Sequence, residues 1–536
     1  MISITSCQKG DLVNNPNVAV STGTIPSTLL LNHLTAKLIR NDEQPFSQSS
    51  KNEQYVLSNY AYYWGNNNYA FSNTEDTYDI LKYAIALQTQ STQQLGNTTN
   101  KYYALAQFFK AYAGIWLSQR VGDIPFSQAG SATILTPAYD KQHDVYKSAL
   151  AMLDNANTIL APLVAVSPGA VLDAGDIYGL TYLQWQKLIN TYRLRVLISL
   201  SKRSADNADL NIPQQFNTII SNPTTYPIMT SNADNLVYKY NQSFNPYAIV
   251  NLGQQPYDNF GSMGLPYVSV TSATQDPRLL VVATPAPLKV AGGKPVGDFT
   301  AFAGADDNIS IATLNTNAAA GQYSYLNFTR YFALPAAYNG ANAEQFVFIG
   351  YPELCFNVAE AINLGWVTGQ SSATWYNNGI NSSLALYGIT DGQKLTITFP
   401  ISSNDATINP QKLAQGAIWG TATVNIPQFM ANVAYTGDNA NGLVQIYTQR
   451  YIAMFANSGW ESFYQWRRSV STTYPNGIPA WSQGSTSSIG TASGAIPRRW
   501  LYPAGESTSN TTNYQSALTS QFGGADDVSK DTWLTK

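Results

Sequence analysis

Apolar residues recur at helical spacing in six separate stretches of this 536-residue chain, and that period decides the fold class. Leu105, Phe108, Phe109, Tyr112, Ile115 and Trp116 follow one another at the three- and four-residue steps that place side chains on one helix face. Val145, Ala149, Met152, Leu153, Ala156, Ile159 and Leu160 repeat the rule, as do Trp185, Leu188, Ile189, Tyr192, Val196 and Leu200. Shorter stripes run through Leu30, Leu34 and Leu38, through Leu354, Val358, Ala361 and Ile362, and through Leu443, Ile446, Tyr447, Tyr451 and Met454. Helices are therefore expected over about 25–205, 352–387 and 441–466. Between them, 215–350 and 388–440 are rich in Gly, Asn, Pro and Thr, with short apolar pieces such as Lys394–Thr398, and read as loops with few short strands. After Tyr464 no strong period returns, so the end reads as an irregular tail. The fold class is mostly α. Helices at both ends of the chain are apolar on one face and need each other's cover, which predicts one domain over 25–536 behind a tether over 1–24.

Charge narrows the function. Only 11% of residues are Asp, Glu, Lys or Arg, against about 25% in an ordinary soluble chain. With a formal net charge of -3, no basic excess exists for a phosphate backbone, so no nucleic-acid partner is expected. No unbroken run of about 18 apolar residues suggests a membrane span. The missing charge is replaced by amides, hydroxyls and rings, with 35 Tyr, 11 Trp and 20 Phe. Ring faces match the C–H face of a sugar, and amides match its hydroxyls. Two His, His33 and His143, and two Cys, Cys7 and Cys355, starve metal centres and nucleophilic triads of parts, so no metal and no cofactor is expected. A glycoside hydrolase needs only two carboxylates and stays open as a reading, but Glu353 and Glu360, two turns apart on one helix face, read better as ties between helices. Asp526-Asp527 reads as a solvated turn and Cys355 as a buried small apolar residue.

The chain opens with Ile4-Thr5-Ser6-Cys7, which has the apolar residue three before cysteine of a bacterial lipobox. Either Cys7 carries lipid, with Gln8 to Gly23 as tether, or it is a stray cysteine in a frayed terminus.

Several motifs, in order, resemble the SusD-like (RagB/SusD) outer-membrane lipoproteins. Phe108 to Tyr112, leading to Gly122-Asp123-Ile124-Pro125-Phe126, is similar to that family's aromatic helix ending in Y-G-D-I-P-Y, with Gln119-Arg120-Val121 where a tyrosine commonly precedes the Gly. Asp176-Ile177-Tyr178-Gly179, the helix Trp185 to Arg195, with Tyr192 at a usual leucine, the turn Asp276-Pro277-Arg278-Leu279, and Ala359-Glu360-Ala361 with Gly365-Trp366 follow. Trp460 to Arg468 and Ile496 to Pro503 complete the set. Most of these residues read as scaffold: Gly122 and Pro125 stop a helix, and Arg193, Arg195, Arg467 and Arg468 hold carboxylates or carbonyls. The resemblance implies a tetratricopeptide-like scaffold of helix pairs and no catalysis. It further implies a lipid-anchored protein on the cell-surface face of the outer membrane, a SusC-like TonB-dependent transporter as partner, and an oligosaccharide or, in some members, a peptide as ligand. Under that reading Cys7 is the anchor.

The ligand site is expected at Tyr55 to Tyr69, where aromatic residues run into Gly65-Asn66-Asn67-Asn68, a stretch that ends a helix and loops outward. Trp64, Tyr63 or Tyr69 would stack on a sugar, and Asn66 or Asn68 would hydrogen-bond its hydroxyls. Tyr60, Tyr63 and Trp64 also fit helical offsets, so a core stripe is the competing reading. Family resemblance adds Tyr257 and Tyr325, by region and not by motif.

Overall fold

In a computed structural model of the chain, the described residues are 24–71, 78–131, 133–240, 261–332, 345–482 and 495–536. Ten helices form the scaffold. The first five are α1 (Ser27–Lys37), α2 (Tyr78–Leu95), α3 (Lys101–Val121), α4 (Gln142–Val166) and α5 (Tyr182–Ser199), each packed on the next in sequence. Local chemistry sets their ends. Asn100 caps α3 by accepting from the Tyr103 N–H at 2.9 Å, and Thr181 with Gln184 makes a capping box on α5. Gly122, at φ 102°, stops α3 in a conformation that L side chains resist. Held between α2 and α4, α3 is buried from Ala104 to Val121 on nearly every face except Lys110. By length and composition α4 could cross a membrane, although no continuous apolar run announces it; here it packs Val145, Leu150, Leu153 and Leu160 between α3 and α5.

The return half places α6 (Tyr351–Asn363) against α5, with α7 (Ser372–Leu386) and α8 (Ala440–Ala453) packed on it, followed by α9 (Glu461–Ser469) and α10 (Thr511–Phe522). Ion pairs and arginine hydrogen bonds tie helices within and between the two halves. Glu353 on α6 accepts from Arg195 of α5 (Nε–Oε1 2.8 Å) and lies 3.2 Å from Arg450 of α8. Glu360 pairs with Arg468 of α9, Arg193 of α5 with Asp154 of α4, and Arg467 donates to the carbonyls of Gln119 and Arg498 at 2.8 Å. These arginines do the tying work that the motifs suggested. Both candidate acids are thus engaged by guanidinium groups. Burial raises the Glu353 carboxyl, but Arg195 and Arg450 outweigh it and hold it below the ordinary range.

Strands are few and short. β1 (Val56–Ser58), β3 (Gly261–Met263), β5 (Tyr325–Leu326) and β4 (Ala283–Thr284) form an antiparallel sheet in that order. β2 (Leu236–Tyr238) pairs with β6 (Phe346–Ile349), and β7 (Lys394–Thr398) with β8 (Ile418–Thr423). The main apolar cluster draws on residues along the chain from Leu30 to Leu534.

Three expectations need correction. The stretch 215–350 holds helices at Leu265–Thr274, Pro277–Val282 and Ile311–Ala319, because Pro at N1, Asp276 and Ser310 start helices too short to show a long period. Asp276 caps Pro277–Val282 and also pairs with Arg278 at 2.6 Å, both fully buried. The tail contains α10. Positions 441–466 hold helices as expected, divided in two where Ala456, Ser458 and Gly459 take φ of 56°, 62° and 61°. Cys355 is buried, its thiol pushed up to about 12 by that burial. Asp526 is no loose turn: it pairs with Arg499 and accepts from the Tyr502 N–H at 3.0 Å.

Candidate functional site

The segment that follows β1 leaves the core, turns once and re-enters, and its floor is made of amides. β1 is fixed first, by pairing of Val56, Leu57 and Ser58 with Met263, Ser262 and Gly261. The chain crosses β3 closely at Gly264, where a Cβ would sit 1.9 Å from the Gln54 carbonyl, so only glycine fits. Past Ser58, Asn59 donates to Ser262 Oγ at 2.9 Å, while its own buried Oδ1 has no partner. Residues Ala61–Trp64 make a single helical turn, closed by the Gly65 N–H on the Ala61 carbonyl at 3.0 Å with Gly65 at φ 72°.

Asn67 then clips the loop to β1. Its Oδ1 accepts from the Ser58 N–H at 2.7 Å and its Nδ2 donates to the Ser58 carbonyl at 3.0 Å. From below, Asn52 donates to the Asn67 carbonyl at 3.0 Å and Gln48 to the Asn68 carbonyl at 3.1 Å. Every backbone group held this way is one the loop does not have to solvate, which ties the base of the rim to β1.

That rim carries rings. Tyr60 is exposed, Tyr62 is 80% exposed, and their centroids are 6.4 Å apart. Asn66 is exposed and Asn68 half-buried. Underneath lie two buried ionisable groups. Burial lowers the Lys51 ammonium to about 8, and its Nζ lies 3.3 Å from where a Cβ on Gly65 would be. Burial, and then the charge of Asp306, raise the Asp307 carboxyl to about 8.

The expected site residues divide. Asn66 and Asn68 lie in the pinned loop beside the exposed tyrosines. Tyr63 and Trp64 close the helical turn, and their side chains lie outside the described residues, as do Tyr257 and Cys7. Tyr69 and Tyr325 belong to the core instead. Tyr69 is 3% exposed and accepts from Gln54 Nε2 at 3.0 Å. Tyr325 is 1% exposed, and its hydroxyl donates to the Ala318 carbonyl at 2.7 Å from β5, inside the sheet. Neither ring face is open to a ligand. Tyr60 and Tyr62 were not expected to lead: Tyr60 counted toward a core stripe, yet it precedes the helical turn and so escapes that face. Among the described residues no group of three or more His, Cys, Asp or Glu could hold a metal.

A helix-pair scaffold presenting rings and amides at a pinned loop is the architecture of a binding protein. The sequence matches, over residues 16–503, the SusD-like family described as starch-binding and associating with the outer membrane, and the chain belongs to that family. Its members bind and do not catalyse. Among solved structures, a SusD homologue from Bacteroides fragilis superposes with TM-score 0.73 at 23% identity, covering 96% of this chain and 100% of the other. A second Bacteroides fragilis SusD homologue gives 0.70 at 26% identity, covering 96% and 99%. A chitin-binding protein gives 0.64 at 22%, covering 95% and 99%. No curated protein matches the sequence.

Proposed function

We propose that this chain is a cell-surface glycan-binding lipoprotein that captures oligosaccharide at the Tyr60–Asn68 loop and passes it to a SusC-like TonB-dependent transporter. The observation that carries the reading is the exposed Tyr60–Tyr62 pair set beside Asn66 on a loop pinned by Asn67. Ring faces supply stacking surface, and the amides supply both donors and acceptors. Trp64 and Tyr63 are further stacking candidates by sequence, and Asn66 and Asn68 bind hydroxyls. Tyr257 is the further candidate from the middle insertion. The starch-binding description of the family and the chitin-binding relative support a glycan over a peptide. Cys7 would carry the lipid that holds the domain at the outer membrane, with the first 24 residues as tether and 25–536 as one domain.

A glycan array probed with the purified domain, with a random peptide array alongside, tests the reading. Retention of an oligosaccharide class and no peptide supports it; retention of peptides alone contradicts it. Purification under mild detergent from native membranes tests the partner: co-purification of an outer-membrane barrel is expected, and recovery of this chain alone contradicts the transporter assignment.

A further inference from the structure

Two cavities flank the segment 294–300 where it lies against β8, well away in sequence from the Tyr60–Asn68 loop. One, of about 310 Å³, is walled by Trp419 and Ile408 with Lys294 and Gln411 at its edge. Across the segment, the other, of about 330 Å³, is walled by Phe299, Ser272, Gln275 and Asn425. Both fall at the small end of the range of ligand sites.

Their shared wall is built to stay. A Cβ on Gly297 would lie 3.0 Å from the Ala422 Cβ and 3.2 Å from the Thr421 carbonyl, and one on Gly420 only 2.5 Å from Val296. The backbone of the segment therefore rests directly on the strand. Asp298 holds its turn, its N–H donating to the Pro295 carbonyl at 3.0 Å and its Oδ1 accepting from Thr300 N–H at 2.8 Å.

The lining is short of charge and long in unused polar groups. Lys294 and Asp298 are the sole charged residues among those walling the two cavities, and they are of opposite sign. Trp419 is half-buried, held edge to face on Phe399 at 5.1 Å, and its indole N–H donates to no described group. The Ser272 hydroxyl is buried without a partner, which a protein tolerates where a ligand or water completes the bond. Asn425 Oδ1 accepts from the Gln428 N–H at 2.9 Å, which leaves its Nδ2 as a donor. A ring in each cavity, amides and a waiting hydroxyl, and no net charge describe a sugar's requirements.

We propose that these cavities form a second carbohydrate-binding groove that takes one neutral oligosaccharide across the 294–300 segment, a claim that rests on the glycan reading of the family site. Labelling the whole chain with fluorotryptophan gives a fluorine NMR signal for Trp419, assigned by its loss in Trp419→Phe. Maltoheptaose and chitohexaose at up to about 10 mM, the weak end of specific affinity, are the probes. The Trp419 signal should shift saturably with at least one of them, and the double variant Gln275→Ala, Gln411→Ala, changed only at exposed positions, should weaken that response at least about threefold. A Trp419 signal unmoved by either sugar overturns the groove, as does a response confined to a Gly–Ser hexapeptide. Calorimetric binding with Trp419 silent would sink this groove and leave the Tyr60–Asn68 site standing, whereas no binding by any readout sinks both.

Discussion

Asn67 and Ser58 form a reciprocal pair in which the Asn67 amide accepts from the Ser58 N–H at 2.7 Å and donates to the Ser58 carbonyl at 3.0 Å. The side chain behaves as an extra strand residue at the end of β1. Asn67→Ala leaves a buried N–H and carbonyl unmet, at a cost of about 1–3 kcal/mol. Denaturant titration should show that loss. Asn67→Asp keeps the acceptor and loses the donor, so it should fall between alanine and the parent; an alanine variant as stable as the parent would remove the clip from the account.

Glu353 stands at the meeting of α5, α6 and α8. Replacing it with Gln leaves two buried guanidinium groups sharing one carboxylate, Glu461, which lies 3.4 Å from Arg450 and 3.9 Å from Arg195. A loss of about 3–5 kcal/mol is expected in equilibrium unfolding. Asp209→Asn, on an exposed pair with Lys147, should leave stability nearly unchanged and serves as the control.

The Asp307 carboxyl, raised to about 8 by burial and by Asp306, predicts a pH dependence. Its folded pKa lies above the unfolded value near 3.8, so the folded form binds the extra proton. Its contribution is full below about 4 and is lost as pH rises through about 8. Asp307→Asn removes the ionisation. The difference in melting temperature between variant and parent should therefore grow in the variant's favour from pH 5 to pH 8, to about the upper end of that window. A constant difference across the range would mean the carboxyl ionises normally.

The lipobox reading makes Cys7 the lipidated residue. In a precursor carrying its export leader, Cys7→Ser should move the protein from the membrane pellet to the supernatant after cell lysis. Retention in the pellet would exclude the anchor.

How much of this is legible in the chain follows from the range of each interaction. The scaffold shows because Phe108, Val145 and Trp185 sit on long stripes whose burial needs no knowledge of partners. Helix α10 does not: Tyr514, Ala517, Leu518 and Phe522 make a stripe, but Thr, Ser and Asn around it are poor helix formers that favour loops. At the site, the run of rings and amides is plain, but which ring stays outside is not. Tyr69 turns inward because Asn67 bonds to Ser58 nine residues back and Gln54 Nε2 donates to its hydroxyl oxygen, while Tyr62 is left out on the turn. Tyr325 goes inward because β5 lies between β3 and β4, a pairing across distant segments that no local pattern encodes.

The central claim is that the exposed rings before Asn66 hold a sugar. Isothermal calorimetry of Tyr62→Ala and Trp64→Ala against the best array oligosaccharide tests it most directly. A stacking ring is worth about 1 kcal/mol, so at least one variant should bind roughly fivefold or more weakly. The melt of Tyr62→Ala should stay put, since that ring is 80% exposed. Unchanged affinity in both variants, with the parent binding, would contradict the site and move the search elsewhere on the scaffold.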